Sequence, residues 1–176
     1  MYSTIIGLLC LCTLGVTVLN TAADKSREVI EVEIDAGIDA VWASFTTKDG
    51  LESWMAPLVE VEFTVGGAIR SNYDAEGAIG DAGTIENTIL SYDPKRMISL
   101  KATGFPEGFP FKDAARRTWT VFYFDAISSE KTQVTVVGLG YTDDEQSRKM
   151  KEFFSVANKQ SLDSLNKTLS EREDEP

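Results

Sequence analysis

The chain has 176 residues, 43% of them apolar, with 17 basic against 28 acidic side chains and a net charge of −11. That length suits one ordinary globular domain, and so acidic a balance excludes a nucleic-acid binder that must meet phosphates with a basic face. There is no histidine, which removes Ser-His-Asp and Cys-His catalysis and the histidine-based zinc, copper and non-haem iron sites.

Ile5 to Leu19 is an apolar run. It is shorter than the roughly 20 residues a membrane-spanning helix needs, but fits the ~7–15-residue core of a secretory signal. Thr21-Ala22-Ala23 supplies the small residues of a cleavage site, so cleavage is expected after Ala23. The alternative is an uncleaved N-terminal anchor, because Met1 to Thr4 contains no Lys or Arg. Cys10 and Cys12 both lie in the run, each preceded by leucine rather than the small residue of a lipoprotein signal. Cleavage leaves residues 24–176 without cysteine, hence without a disulfide, a thiol nucleophile or a thiolate metal site. The reading is of a periplasmic or secreted chain, not stably inserted in a membrane after cleavage. It divides into a signal peptide (1–23), one domain (24–170) and an acidic tail (171–176).

Glu28 to Ile34 alternates, with Ile30, Val32 and Ile34 on one side and Val29 out of phase, which predicts a half-buried strand. Ile38, Val41, Trp42 and Phe45 recur at helical spacing. Thr47 is placed to N-cap a second short helix carrying Leu51 and Trp54, which Pro57 ends. Strand signals follow: Val59 to Val65, a turn at Gly66-Gly67, Ala68 to Tyr73, Thr84 to Tyr92, a turn at Asp93 to Arg96, then Met97 to Thr103, Thr118 to Asp125 and Thr132 to Tyr141. Seven strands joined mostly by short turns imply an antiparallel sheet. Thr142-x-x-Glu145 reads as a capping box opening a long helix from about 143 to 170.

The last helix carries the functional signal. Its apolar stripe is bulky at both ends (Met150, Phe153 and Phe154, then Leu162, Leu165 and Leu169) and narrow in the middle, where Ala157 and Ser161 stand beside Asn158. A sheet wrapped around a helix with a narrow waist leaves volume there, a frequent ligand site. The bland alternative is that small residues let helix and sheet approach closely. Thr103 to Arg117 places Phe105, Phe109 and Phe111 among prolines and glycines. Such a loop caps a cavity as a lid, docks on a partner, or covers the open end of the core.

Trp119 to Phe124 is apolar on both faces, so short helices or a second copy of the chain must cover its outer side. Asp74, Glu76 and Asp81 sit among glycines, but Ala78 and Ile85 fall where an EF-hand needs ligands; the segment reads as a solvated loop. No phosphate-binding glycine motif is present. The sequon Asn166-Lys167-Thr168 falls on a helix and is discounted. Catalysis would fall to Asp, Glu, Tyr or Lys. The strand-borne candidates Arg70, Glu86, Arg116 and Tyr123 show no telling pairing, so no catalytic residue, metal ligand or cofactor is assigned.

The order strand–helix–helix–six strands–long helix, with Ala40-Val41-Trp42, Leu51-x-x-Trp54-x-x-Pro57 and Gly66-Gly67, resembles the START-like (SRPBCC) superfamily. The branch it resembles is that of the activator of the heat-shock-protein-90 ATPase. The likeness spans Ser26 to Leu169. Val137 to Tyr141, Lys149 to Phe154 and Asn158 resemble exported bacterial members. Ala157-Asn158 stands near where the branch usually has Gly-Trp. The resemblance implies an α+β helix-grip fold, with a curved antiparallel sheet around the C-terminal helix and a pocket between them. In many members that pocket binds lipids, sterols or polyketides.

The expected function is binding of a small, largely hydrophobic molecule, without a cofactor. The expected lining is Trp54, Phe109, Phe111, Phe122, Phe124, Phe154, Ala157, Asn158 and Ser161. The alternatives are a protein-interaction module, whose partner could not be the cytosolic chaperone if the chain is exported, and a cofactor-free cyclase- or hydrolase-like enzyme. A homodimer through the outer sheet face is a further expectation.

Overall fold

In the computed structural model, which describes residues 24–173, every second side chain of β1 (Arg27–Ile34) turns away from solvent. The expected signal peptide with Cys10 and Cys12, and the end of the acidic tail, lie outside the described residues. After β1 come α1 (Ile38–Thr46) and α2 (Lys48–Glu52). The Thr47 hydroxyl caps α2 by accepting from the Gly50 amide at 3.0 Å. Four strands follow: β2 (Leu58–Val61), β3 (Ala68–Asn72), β4 (Ile85–Asp93) and β5 (Met97–Gly104). Then come α3 (Lys112–Ala115), β6 (Trp119–Ser128), β7 (Lys131–Leu139) and α4 (Glu145–Glu173). The strands form one antiparallel, unclosed sheet in the order β1-β7-β6-β5-β4-β3-β2. This is the helix-grip architecture, α+β with two short helices after the first strand.

Three local expectations are corrected. β2 stops at Val61 instead of running to Val65. The chain leaves the ladder because Gly66, at φ +86°, turns to exchange hydrogen bonds between the Gly66–Gly67 segment and Ile89 of β4. The start of α4 is set by Asp144, not by Thr142 and Glu145. Asp144 accepts from the Ser147 amide at 2.9 Å, and the Ser147 hydroxyl accepts from the Thr142 amide at 2.9 Å. Glu145 instead pairs with Lys149 at 2.7 Å, one turn on. At its other end α4 continues through Glu173, taking in residues expected to be a tail.

The second half of α4 is tightly held. Leu162, Leu165 and Leu169 are buried with Ile34, Val41, Phe45, Phe124, Val134 and Val136. Phe45 sits at the centre of an aromatic cluster, with ring centroids 5.0 Å from Phe124, 5.1 Å from Trp54 and 5.3 Å from Phe122. Trp42 of α1 meets Phe124 edge-on at 5.6 Å. The short helices therefore pack on the inner side of β6, beneath Phe122 and Phe124. They do not cover the outer side, where Val29, Tyr123 and Ile127 remain exposed around the buried Val121 and Val137.

The acidic loop between β3 and β4 is organised by a buried amide. Asn72 is 2% exposed; it donates to the Ala78 carbonyl and the Asp81 carboxylate and accepts from the Asp74 amide. Among the described residues no group of acidic side chains is placed to hold a metal ion. Asn72→Ala is expected to cost about 2 kcal/mol in a urea melt, since it strands these partners in a buried corner.

Backbone amides of Ala78 and Gly83 hold the Asp81 carboxyl below its ordinary pKa of 3.8; the Thr142 hydroxyl and the Ser147 amide do the same for Asp144. A depressed folded-state pKa means that the unfolded chain binds protons first. The stabilisation is then complete above the unfolded value and lost as pH falls through the folded one. Thermal melts are expected to be flat from neutrality to about pH 5 and to fall below about pH 4, with Asp81→Asn reducing the acid fall.

Candidate functional site

The first half of α4 lies along the edge strand β1, where the Lys151 ammonium donates to the Arg27 carbonyl at 2.6 Å, and leaves a gap over the inner strands. The close backbone neighbours of α4 are β1, α1 and α3, whereas β3 to β6 stand away from it. A cavity of about 240 Å³ fills the space. Met150, Phe154 and Asn158, one turn apart along α4, form its helix wall. The opposite wall is the inner face of the sheet: Ser71 on β3, Ile85 and Asn87 on β4, Leu100 and Ala102 on β5, Thr120 and Phe122 on β6. Met55 lies on the wall as well, and Tyr73 and Trp119, 61% and 37% exposed, stand at the rim.

The Phe-Pro segment closes one side. Phe105 and Phe109 stack with centroids 5.5 Å apart and planes within 8°, and both line the cavity. The chain of rings continues from Phe109 through Phe111 to Phe153 on α4. Behind them α3 buries Ala114 and Ala115 against Met150 and Tyr141. Gln146 ties this segment to α4: its Oε1 accepts from the Ala114 amide at 2.8 Å and its Nε2 donates to the Pro110 carbonyl at 3.2 Å. Glycine at 138 makes room for the Tyr141 ring, since a Cβ there would lie 2.9 Å from it. Burial, helped by the Glu28 carboxylate, raises the Tyr141 phenol well above its usual pKa. At neutral pH it is a neutral hydrogen-bonding group.

Of the nine residues expected to line a cavity, the structure brings four together: Phe109, Phe122, Phe154 and Asn158. The others stand elsewhere. Phe124 is 3% exposed and belongs to the aromatic core. Trp54 packs on Phe45 and donates its indole N–H to the Ser44 carbonyl at 3.0 Å. Phe111 sits behind Phe109, and Ala157 and Ser161 flank the cavity wall without forming it. The helix face is Met150–Phe154–Asn158–Leu162, so Phe153, counted in the stripe, is 54% exposed. The reading missed Ser71, Asn87 and Thr120. No alternation marks Arg70-Ser71-Asn72, where three polar residues run together.

Among the described residues no Asp, Glu, Lys or Arg lines this cavity. Arg70 and Glu86 pair with each other at 2.7 Å, while Arg116 and Tyr123 are exposed away from it. A second depression, between α1, α2 and the end of α4, has small walls, with Ala40, Ala43, Thr47 and Asp49 open to solvent. It is a surface dent rather than an enclosed site. No helix among the described residues is long and apolar enough to cross a membrane.

The family model described as Activator of Hsp90 ATPase homolog 1-like protein matches residues 35–170. The chain belongs to this family. Solved structures agree on the fold. A crystal structure of a Mesorhizobium loti protein superposes with a TM-score of 0.64 at 16% identity, covering 82% of this chain and 97% of that one. An Arthrobacter aurescens protein gives 0.64 at 20% identity, with 88% and 93% covered. The Aha1 dimer from Colwellia psychrerythraea gives 0.60 at 17% identity, with 81% and 95% covered. No match was found among curated proteins. The START-like resemblance and the helix-grip fold read from the sequence are thus met by family and structure alike.

Proposed function

We propose that this protein is an exported carrier that binds a small, largely apolar molecule between its sheet and the first half of α4. The observation that carries the reading is the cavity of about 240 Å³, walled by Met150, Phe154, Leu100 and Phe122 and capped by the stacked Phe105 and Phe109. Burial of ligand surface supplies the driving force, at roughly 25 cal/mol per Å² before association costs. The buried aromatic core on the far side keeps the walls apart, so that the space need not be built by the ligand. Export rests on the apolar run Ile5 to Leu19 and the small residues before Asp24. The periplasm or the extracellular space is then where the ligand is met.

Native mass spectrometry of the chain, purified from its own host without denaturation, tests the binding function. A reproducible added mass of a small organic molecule is expected, lost on unfolding. Only the bare chain, from several growth conditions, overturns the reading. The N-terminal mass from the same spectra reports cleavage after Ala23.

The Colwellia relative is described as a dimer. In this chain a second copy is proposed on the outer sheet face around Val29, Tyr123 and Ile127, which the short helices leave uncovered. Sedimentation of the wild type and of Tyr123→Glu is expected to show a dimer that the charge converts to monomer. A wild-type monomer at high concentration removes this part of the proposal.

A further inference from the structure

The cavity wall says more about the ligand than that it is apolar. Ser71 is 2% exposed and faces the cavity between Val59 and Ile85, its two cross-strand neighbours. Its hydroxyl has no hydrogen-bond partner within the described residues. Neither do the side chains of Asn87, Thr120 and Asn158, and no polar atom among them is sealed from free space. The contrast with Asn72 is informative. That amide, next in the chain to Ser71, is fully engaged by its own loop. Ser71 is nearly buried and Asn87, Thr120 and Asn158 are half-buried; polar groups so placed are normally satisfied by protein or water, so a wall that leaves them without a protein partner has hydrogen bonds to offer a guest. The four supply donors and acceptors but no charge.

Charge would be poorly received. Among the described residues the lining holds no ionisable partner other than the rim Tyr73 and the neutral Tyr141 phenol, so a carboxylate or an ammonium entering the cavity would lose its hydration without a counter-ion. The loops beside the rim carry the exposed carboxylates Asp74, Glu76, Asp81 and Glu107, on a chain of net charge −11. The basic groups nearby, Lys112, Arg116 and Arg117, lie outside the cavity. Arg117 is bound to Asp144 at 2.6 Å and Arg116 faces Asp113. The size is also bounded. At about 240 Å³ the cavity falls just below the range of drug-sized ligand pockets, which suits a small molecule of roughly ten non-hydrogen atoms.

We propose that the cavity selects an uncharged amphiphile of about that size. Its single hydroxyl, carbonyl or amide end bonds to Ser71 and Asn87, and its apolar body lies against Phe154 and Phe122. The proposal rests on the ligand-binding reading above and adds the head-group class.

The test is a heteronuclear NMR titration of the isotope-labelled chain at neutral pH with five probes: octanamide, octanol, octanoate, octylammonium and the purely apolar octene. Octanamide and octanol are expected to shift the amides of Ser71, Asn87, Ala102 and Thr120, with Kd values about tenfold or more below those of octanoate and octylammonium. In the double variant Ser71→Ala, Asn87→Leu, octanamide binding is expected to weaken about fivefold or more, while octene binds as before. The octene result shows that the variant keeps its fold and cavity. Octanoate or octylammonium binding as well as octanamide, or a double variant indifferent to the amide, overturns the head-group assignment and leaves the cavity reading intact. Failure of all five probes, octene included, to shift those amides overturns both.

Discussion

Phe124→Ala is expected to remove about 3–5 kcal/mol of stability, the usual cost of emptying a fully packed aromatic site. Phe124 is 3% exposed and is gripped on two sides, by Trp42 at 5.6 Å and Phe45 at 5.0 Å. Nothing in that neighbourhood can collapse without moving α1, β6 and the second half of α4 together. For a domain of this size the loss corresponds to a fall in Tm of roughly 10 °C. Phe154→Ala is the control within the same helix. One flank of that ring already borders free space, so fewer contacts are forfeited, and a loss of about 1–2 kcal/mol is expected. Urea unfolding of both variants checks the pair. Equal losses would mean that the two halves of α4 are equally well packed, and that no void lies beside Phe154.

Ala102→Leu has the opposite signature. Ala102 lies on the cavity wall beside Asn87, its partner on β4. A leucine there places three further carbons in the free space. If they fit, burial at about 0.8 kcal/mol per methylene raises stability by up to about 2 kcal/mol. The same carbons occupy the volume a guest needs, so octanamide binding is expected to fall about tenfold or more. Calorimetry and the NMR titration on one sample read both effects. A variant that melts early, as an overpacked core does, and still binds would show that Ala102 faces packed protein.

Much of this fold is written in short-range pattern. The period-two run in β1 and the i, i+3, i+4, i+7 apolar residues of α1 form where the sequence places them, because burial on one face dictates each, and so does the Thr47 cap; α4 forms as a long helix on a narrower face, without Phe153. The START-like order of elements then supplies the sheet's topology, which periodicity alone does not. The errors are local and physical. Asp144 and Ser147 outcompete Thr142 and Glu145 at the start of α4, since two overlapping sets of capping residues occupy the same stretch. α3 is a single turn between Pro110 and Arg116, too short to carry a period.

The cavity was legible only from the helix side. Asn158 on an apolar stripe marks it, and Phe109, Phe122 and Phe154 surround it, but bulk alone does not separate cavity wall from core. Phe122 and Phe124 alternate on one strand face with the same chemistry. Both meet Phe45 of α1, but Trp42 also covers Phe124, whereas Phe122 keeps an edge on the cavity. The sheet's polar contributions, Ser71, Asn87 and Thr120, look in the sequence like ordinary solvent-facing strand residues. Only the register, which sets Ser71 opposite the buried Val59, turns them inward.

The central claim is that the space beneath the first half of α4 receives a guest. A structure of the chain at saturating octanamide tests it most directly. The account predicts the ligand between Phe154 and Phe122, its amide within hydrogen-bond distance of Ser71 or Asn87, and Leu162 to Leu169 unmoved. Octanamide seated on the outer face near Tyr123, or a cavity closed by inward movement of Phe105 and Phe109 with no ligand inside, would contradict it.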